Sequence, residues 1–183
     1  AGDVNGDNYG DVIVGAPRFN NGQQQEGRAW LYQGGPAGLA ASAAWTTESN
    51  QTNARFGAAV AAAGDVNGDG YADVVVGAPG YPHPTTGDAL GAALLYRGGA
   101  TGLSTTAAWT LPGNGRNWEF GHAVASAGDV NGDGYADVIV GEPSADGLFQ
   151  ANPDRGTAYV FHGGAGGPTS SWTSTASRSA VTR

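Results

Sequence analysis

The segment AGDVNGDNYGDVIVGAP at residues 1–17 returns as AGDVNGDGYADVVVGAP at 63–79 and as AGDVNGDGYADVIVGEP at 127–143, at offsets of 62 and then 64 residues. Other landmarks keep the same phase: Trp45, Trp109 and Trp172; Gly34-Gly35, Gly98-Gly99 and Gly163-Gly164; Phe56-Gly57 and Phe120-Gly121. Three copies of one unit must fold as three copies of one small supersecondary structure. Such a unit buries its apolar faces only by stacking on its neighbours.

Within the second copy, four short runs bounded by glycine, proline or polar turn residues read as strands: Phe56 to Ala62, Asp73 to Val76, Ala92 to Tyr96 and Ala107 to Thr110. The β-branched DVIV and DVVV runs are too short for helices and too apolar for surface loops. Four strands in a repeat of this size make an antiparallel meander, and radial stacking of such sheets makes a β-propeller. The predicted fold class is therefore all-β: β-propeller blades of four-stranded antiparallel sheets. A linear β-solenoid is the alternative, but its repeats are shorter, ~20–30 residues. The tryptophans and the Phe-Gly phenylalanines read as packing residues between sheets, in preference to sugar-stacking aromatics.

Residues 1–183 form one partial propeller region with repeats 1–55, 56–119 and 120–183. The first repeat lacks the Phe-Gly strand, because Ala1 corresponds to Ala63. Three blades are fewer than the ~4 to 8 that close a ring. The expectation is a piece of a longer propeller whose remaining blades cover the open faces, or failing that an association with another chain. The absence of methionine agrees with a processed chain or a fragment.

Each repeat carries D-x-N-x-D-[GN]-x-x-D. Nine of the sixteen acids sit in these loops. Carboxylates 4 Å apart repel by ~1 kcal/mol per pair in water and ~4 at an effective dielectric of 20. A cation offsets that cost, and the donors suit calcium: hard oxygens at positions 1, 3 and 5, a backbone carbonyl at position 7 and a carboxylate at position 9. The predicted ligands are Asp3, Asn5, Asp7, Tyr9 and Asp11; Asp65, Asn67, Asp69, Tyr71 and Asp73; Asp129, Asn131, Asp133, Tyr135 and Asp137. The tyrosines would act through their backbone carbonyls. That makes three Ca²⁺ sites, one per repeat. Zinc would want His or Cys, and the loops contain neither. Gly70 and Gly134 at position 6 predict positive φ, with Asn8 as the substitute and a slightly weaker first site. No Glu stands at position 12 and the flanks read as strands, so these are not EF-hands. The metal-free alternative is a set of Asx-turns closing hairpins.

Charge excludes other classes. The net charge is −8, with eight arginines and no lysine, so no basic patch for nucleic acid exists. Three calcium ions would bring −8 to −2 by adding six charges. There is no cysteine, hence no disulfide framework and no thiolate chemistry. No apolar run approaches the ~18 residues of a membrane span, and residues 1–30 show no leader pattern.

Phe-Gly, then the acidic loop, then Gly-Ala-Pro resembles the FG-GAP repeat of integrin α-subunit propellers and of related bacterial secreted proteins. Here the motif stands as Phe56-Gly57 with Gly77-Ala78-Pro79 and as Phe120-Gly121 with Gly141-Glu142-Pro143, while the first repeat keeps Gly15-Ala16-Pro17. The resemblance implies a propeller usually of seven blades, calcium in the strand-connecting loops, and an extracellular or cell-surface role in adhesion or ligand recognition. Three repeats and Glu142 in place of alanine are the departures.

Alternating connections put the acidic loops at one end of the sheets. The segments 18–26, 80–90, 144–155, 46–55 and 110–119 lie at the other end. These differ among repeats, as a binding surface on a repeated scaffold would. Arg18, Phe19, Tyr81, His83, Trp118, Phe149 and Arg155 have the chemistry of contact anchors there. His122 reads as a packed or edge histidine. The expected function is a non-catalytic, calcium-stabilised module that recognises an extracellular protein or glycan. The alternative is the propeller portion of a secreted hydrolase or lyase. For that, G-x-S-x-G and H-E-x-x-H are missing, and only Glu26, Glu48, Asp88, Glu119, Glu142, Asp146 and Asp154 remain as acids outside the loops.

Overall fold

The computed structural model describes residues 1–113, 119–143 and 156–176, with backbone alone for 170–176. Its described elements are all strands: β1 Val12–Ala16, β2 Arg28–Tyr32, β3 Trp45–Glu48, β4 Ala59–Gly64, β5 Asp73–Ala78, β6 Ala92–Tyr96, β7 Trp109–Pro112, β8 Ala123–Gly128, β9 Asp137–Glu142, β10 Gly156–His162 and β11 Thr169–Ala176. They form three antiparallel meanders, β1-β2-β3, β4-β5-β6-β7 and β8-β9-β10-β11. These are the blades of a β-propeller. Among the described residues no helix is long and apolar enough to cross a membrane.

The central valines explain the stacking. In β5, Val74, Val76 and Ala78 face blade 1 and share a core with its Ala29, Leu31 and Trp45 and with Phe56 of their own repeat. Val75 points the other way, into a second core with Val138, Val140, Phe120 and Phe161 of blade 3. A strand buried on both faces must read as a continuous apolar run, and DVVV does. On β1 the same pattern leaves Val12 and Val14 42% and 45% exposed, because one face of blade 1 is open.

The aromatic residues pack between sheets. Phe56 is fully buried, with its ring edge-on to Tyr96 at 6.2 Å. Trp45 lies edge-on to Tyr96 at 5.0 Å and donates its indole N–H to Ser104 O in the next blade at 2.9 Å. Arg97 lies over Trp109 at 4.4 Å. The Trp172 side chain lies outside the described residues.

Three strand boundaries differ from the sequence reading. The first strand of blade 2 begins at Ala59, not Phe56: Arg55 (φ 54°) and Gly57 (φ 83°) break extended structure on both sides of Phe56. Phe56 instead makes an isolated parallel bridge to Gly27 of blade 1. The second strand continues through Ala78, which pairs with Ala92. The fourth starts at Trp109, opposite Leu95, and ends at Pro112, which an edge strand tolerates because that side donates no ladder bond.

Candidate functional site

Each acidic loop is folded by its own first aspartate. Asp65 Oδ1 accepts the N–H groups of Gly68 (2.6 Å) and Asp69 (3.1 Å), and Oδ2 accepts that of Gly70 (2.8 Å). Asn67 Nδ2 donates to Asp69 Oδ2 at 2.7 Å, while Asp69 Oδ1 accepts the Tyr71 N–H at 3.1 Å. The same bonds surround Asp3 and Asp129. Position 6 has positive φ in all three loops, at 69° for Asn8, 89° for Gly70 and 90° for Gly134. The N–H of Gly134 is the main reason that the Asp129 carboxyl sits below the ordinary range, against slight desolvation and with help from Gly132, Asp133 and Asn131.

Position 9 behaves differently. Asp11, Asp73 and Asp137 are buried. Each ties its loop to the end of the third strand of its repeat. Asp73 Oδ2 accepts the Val66 N–H at 3.0 Å and Oδ1 the Gly98 N–H at 2.9 Å; Asp11 does the same for Val4 and Gly34, and Asp137 for Val130 and Gly163. Burial pushes the Asp73 carboxyl up to about 6. Its two backbone donors oppose the rise, and the Asp69 and Asp65 charges add to it. Asp73→Ala is expected to cost roughly 2–4 kcal/mol by leaving two N–H groups unpaired. Denaturant unfolding of the variant measures this, and a loss below ~1 kcal/mol would contradict the assignment.

Among the described residues no three His, Cys, Asp or Glu side chains are gathered into a metal cluster of their own. The donor set is nonetheless all oxygen: the Oδ1 of Asp3, Asp65 and Asp129 is filled by two N–H groups, but their Oδ2 and the bonded oxygens of positions 5 and 9 each accept one hydrogen bond and keep a second lone pair. It suits a hard cation whose shell mixes carboxylate, amide and main-chain oxygens.

The loops are also chained to one another. Asp3 O accepts the Ala72 N–H at 3.0 Å, and Asp65 O accepts the Ala136 N–H at 2.9 Å. Val4 O and Val66 O accept the N–H groups of Gly99 and Gly164 at 2.9 and 2.8 Å. The Tyr71 ring lies where a side chain on Gly6 would be, 2.9 Å from an added Cβ, and Tyr135 covers Gly68 in the same way. The first and second loops are therefore each latched to the following blade.

At the opposite end, Phe19 packs edge-on to Trp30 at 5.6 Å under the Arg28 guanidinium, and Arg28 is ion-paired with Glu48. Arg18 is exposed, and Tyr81 rests partly on the blade 1–blade 2 core. His83 Nδ1 accepts the N–H groups of Thr85 and Thr86, both at 3.2 Å. Tyr81 and His83 line a hollow of about 330 Å³ closed by Leu90, Thr110 and Pro112. Trp118, Phe149, Arg155, Asp146 and Asp154 lie outside the described residues. His122 is exposed at a blade edge, 3.6 Å from Glu119.

Two acids that the sequence names only as lying outside the loops, Glu142 also as a departure from alanine, are buried carboxyls at this end. Glu26 and Glu142 are fully buried, and each keeps one oxygen without a hydrogen bond. The visible signal for Glu142 was its place where the other repeats have Ala16 and Ala78. Its Oε2 accepts the Tyr159 hydroxyl at 2.7 Å, and burial raises its carboxyl above the ordinary value. A raised acid contributes stability below its unfolded pKa and loses it as pH rises through the folded one. Glu142→Gln is therefore expected to stabilise the chain by about 1–3 kcal/mol at pH 8 and much less at pH 4. Melting curves at the two pH values check this, and an equal gain at both would refute it.

The FG-GAP repeat family matches residues 1–32, 56–96 and 120–161. The chain is 32% identical to integrin alpha-4 of Xenopus laevis over 145 residues, 77% of this chain and 14% of that protein. It is 34% identical to integrin alpha-PS2 of Drosophila melanogaster over 175 residues, 91% of this chain and 11% of that protein. Against integrin alpha-IIb of Mus musculus the identity is 34% over 165 residues, 82% of this chain and 15% of that protein. The chain thus spans between 11% and 15% of the length of these relatives.

Proposed function

The chain belongs to the FG-GAP repeat family, and on that premise we propose that it is a non-catalytic, calcium-stabilised part of an extracellular or cell-surface propeller that recognises a protein or glycan. Residues 1–183 supply the repeats 1–55, 56–119 and 120–183 of a larger ring, whose further blades cover the open faces of the first and third. Calcium sits in the three acidic loops, on Asp3, Asn5, Asp7 and Asp11 and their counterparts, with the main-chain oxygens of Tyr9, Tyr71 and Tyr135. Its role is structural: it neutralises the loop carboxylates and stiffens the latches between blades. The opposite end takes the ligand, where the connections differ and the hollow beside Tyr81 and His83 opens.

One observation carries the calcium reading. Three loops of identical donor chemistry repeat the same hydrogen-bond scaffold while gathering nine carboxylates with no lysine or arginine among them. Calorimetric titration of the chelator-stripped chain should give three calcium ions per chain, and two for Asp69→Ala. No binding at millimolar calcium would refute the reading.

A further inference from the structure

The Phe-Gly dipeptide of each complete repeat is seated on the preceding blade by two glycines. Phe56 bridges Gly27 in parallel, and Phe120 bridges Gly91. The Phe56 N–H donates to Glu26 O at 3.1 Å. A Cβ on Gly27 would run into the carbonyl oxygen of Phe56, and one on Gly15 into that of Gly57. In the next pair, a Cβ on Gly91 would strike the carbonyl of Phe120, and one on Gly77 that of Gly121. Both glycines of a seat are thus required, because two incoming carbonyls occupy the space of their missing side chains. The phenylalanine rings lie in the cores between blades, Phe56 edge-on to Tyr96 and Phe120 edge-on to Tyr159 and Phe161, while the two glycines meet the segment's backbone carbonyls, so the seat reads backbone. It also demands glycine after the phenylalanine: Gly57 and Gly121 both have φ 83°, and a Cβ on Gly57 would lie 2.9 Å from Arg28 O.

Blade 3 carries the same two glycines, Gly141 and Gly156, at the positions of Gly77 and Gly91. Among the described residues neither is filled in this way: a Cβ on Gly141 would meet nothing nearer than Ala123 Cβ at 3.5 Å, and one on Gly156 nothing nearer than Pro143 O at 3.4 Å. A hollow of about 290 Å³ lies there, bounded by His122, Ala123, Gly141, Gly156 and Thr157.

We infer that Gly141 and Gly156 form a vacant backbone seat for the Phe-Gly segment that opens a further FG-GAP repeat. The inference rests on the proposal that another blade covers this face, and it names where that blade is latched. A second copy of this chain does not supply the segment, because its Phe56-Gly57 and Phe120-Gly121 are held within its own blades.

The test extends the full chain after Arg183 with a copy of residues 55–119, so that a new Arg-Phe-Gly follows blade 3. In the filled pair, β8 packs on β4 and β5 of the preceding blade, so the added first strand should cover β8 and β9. Hydrogen exchange of the Ala123–Gly128 and Asp137–Glu142 amides should slow at least tenfold on extension. Gly141→Val in the extended chain should abolish the slowing, as should valine at the added Phe-Gly glycine. In the unextended chain Gly141→Val should leave the melting temperature unchanged, and a large drop there would overturn the inference by showing that the seat is already filled. Slowing that survives Gly141→Val would also overturn it while leaving blade coverage standing. No slowing on extension would remove both readings.

Discussion

Excess EDTA is expected to lower the melting temperature of the calcium-loaded chain by on the order of 20 °C. Each independent site, at free calcium ~100 times its dissociation constant, contributes ~2.7 kcal/mol to the folded state, so three sites approach ~8 kcal/mol. For a chain of this size each kcal/mol moves the midpoint by roughly 2–4 °C. The loss should not stay local. Val4 O and Asp3 O hold the N–H groups of Gly99 and Ala72 in the next blade, and Val66 O and Asp65 O do the same for blade 3. Loops loosened by their own carboxylate repulsion would therefore weaken both blade junctions. Scanning calorimetry in calcium and in EDTA measures the shift, with magnesium as the control for ion specificity. An unchanged midpoint would leave the loops as metal-free Asx-turns.

Gly77→Val should destabilise the chain by about 4 kcal/mol or more, at the exceptional end of single substitutions. The reason is what the new side chain meets. Its Cβ would overlap the Gly121 carbonyl, and that carbonyl belongs to a backbone pinned twice: the Gly121 N–H donates to Gly141 O at 3.1 Å, and Phe120 bridges Gly91. No flexible side-chain end can give way. Relief requires separating blades 2 and 3, which opens the core of Val75, Leu95, Phe120 and Val138 to water. Gly15→Val should act similarly between blades 1 and 2, through the Gly57 carbonyl. Thermal melts of these variants give the comparison, and a Gly77→Val chain as stable as the parent would refute the close approach.

What lies within a few residues in the chain was legible in the sequence. The repeat of ~60 residues, the DVVV strand, the turn at Gly70 and the acidic loop are local patterns with local causes, and the structure places them as the residues indicate. Phe56 was misread as strand for the converse reason. Its apolar character is shared with a strand residue, but its conformation answers to Gly27, a residue of another blade. The burial of Glu142 is not legible in the sequence, because a single glutamate in a loop-rich chain looks solvated until Tyr159, itself packed edge-on to Phe120, bonds it.

The sequence by itself determined the number of repeats, the strands of each and the oxygen chemistry of the loops, because hairpin geometry and ligand spacing are properties of nine or ten consecutive residues. Only the tertiary structure decided that position-9 aspartates turn inward to hold Val66 and Gly98, that Tyr71 covers Gly6, and that paired glycines seat a neighbour's carbonyls. Those contacts join groups far apart in the chain whose partner is a backbone atom. A backbone N–H or carbonyl is the same at every residue, so no side-chain pattern announces which one will arrive.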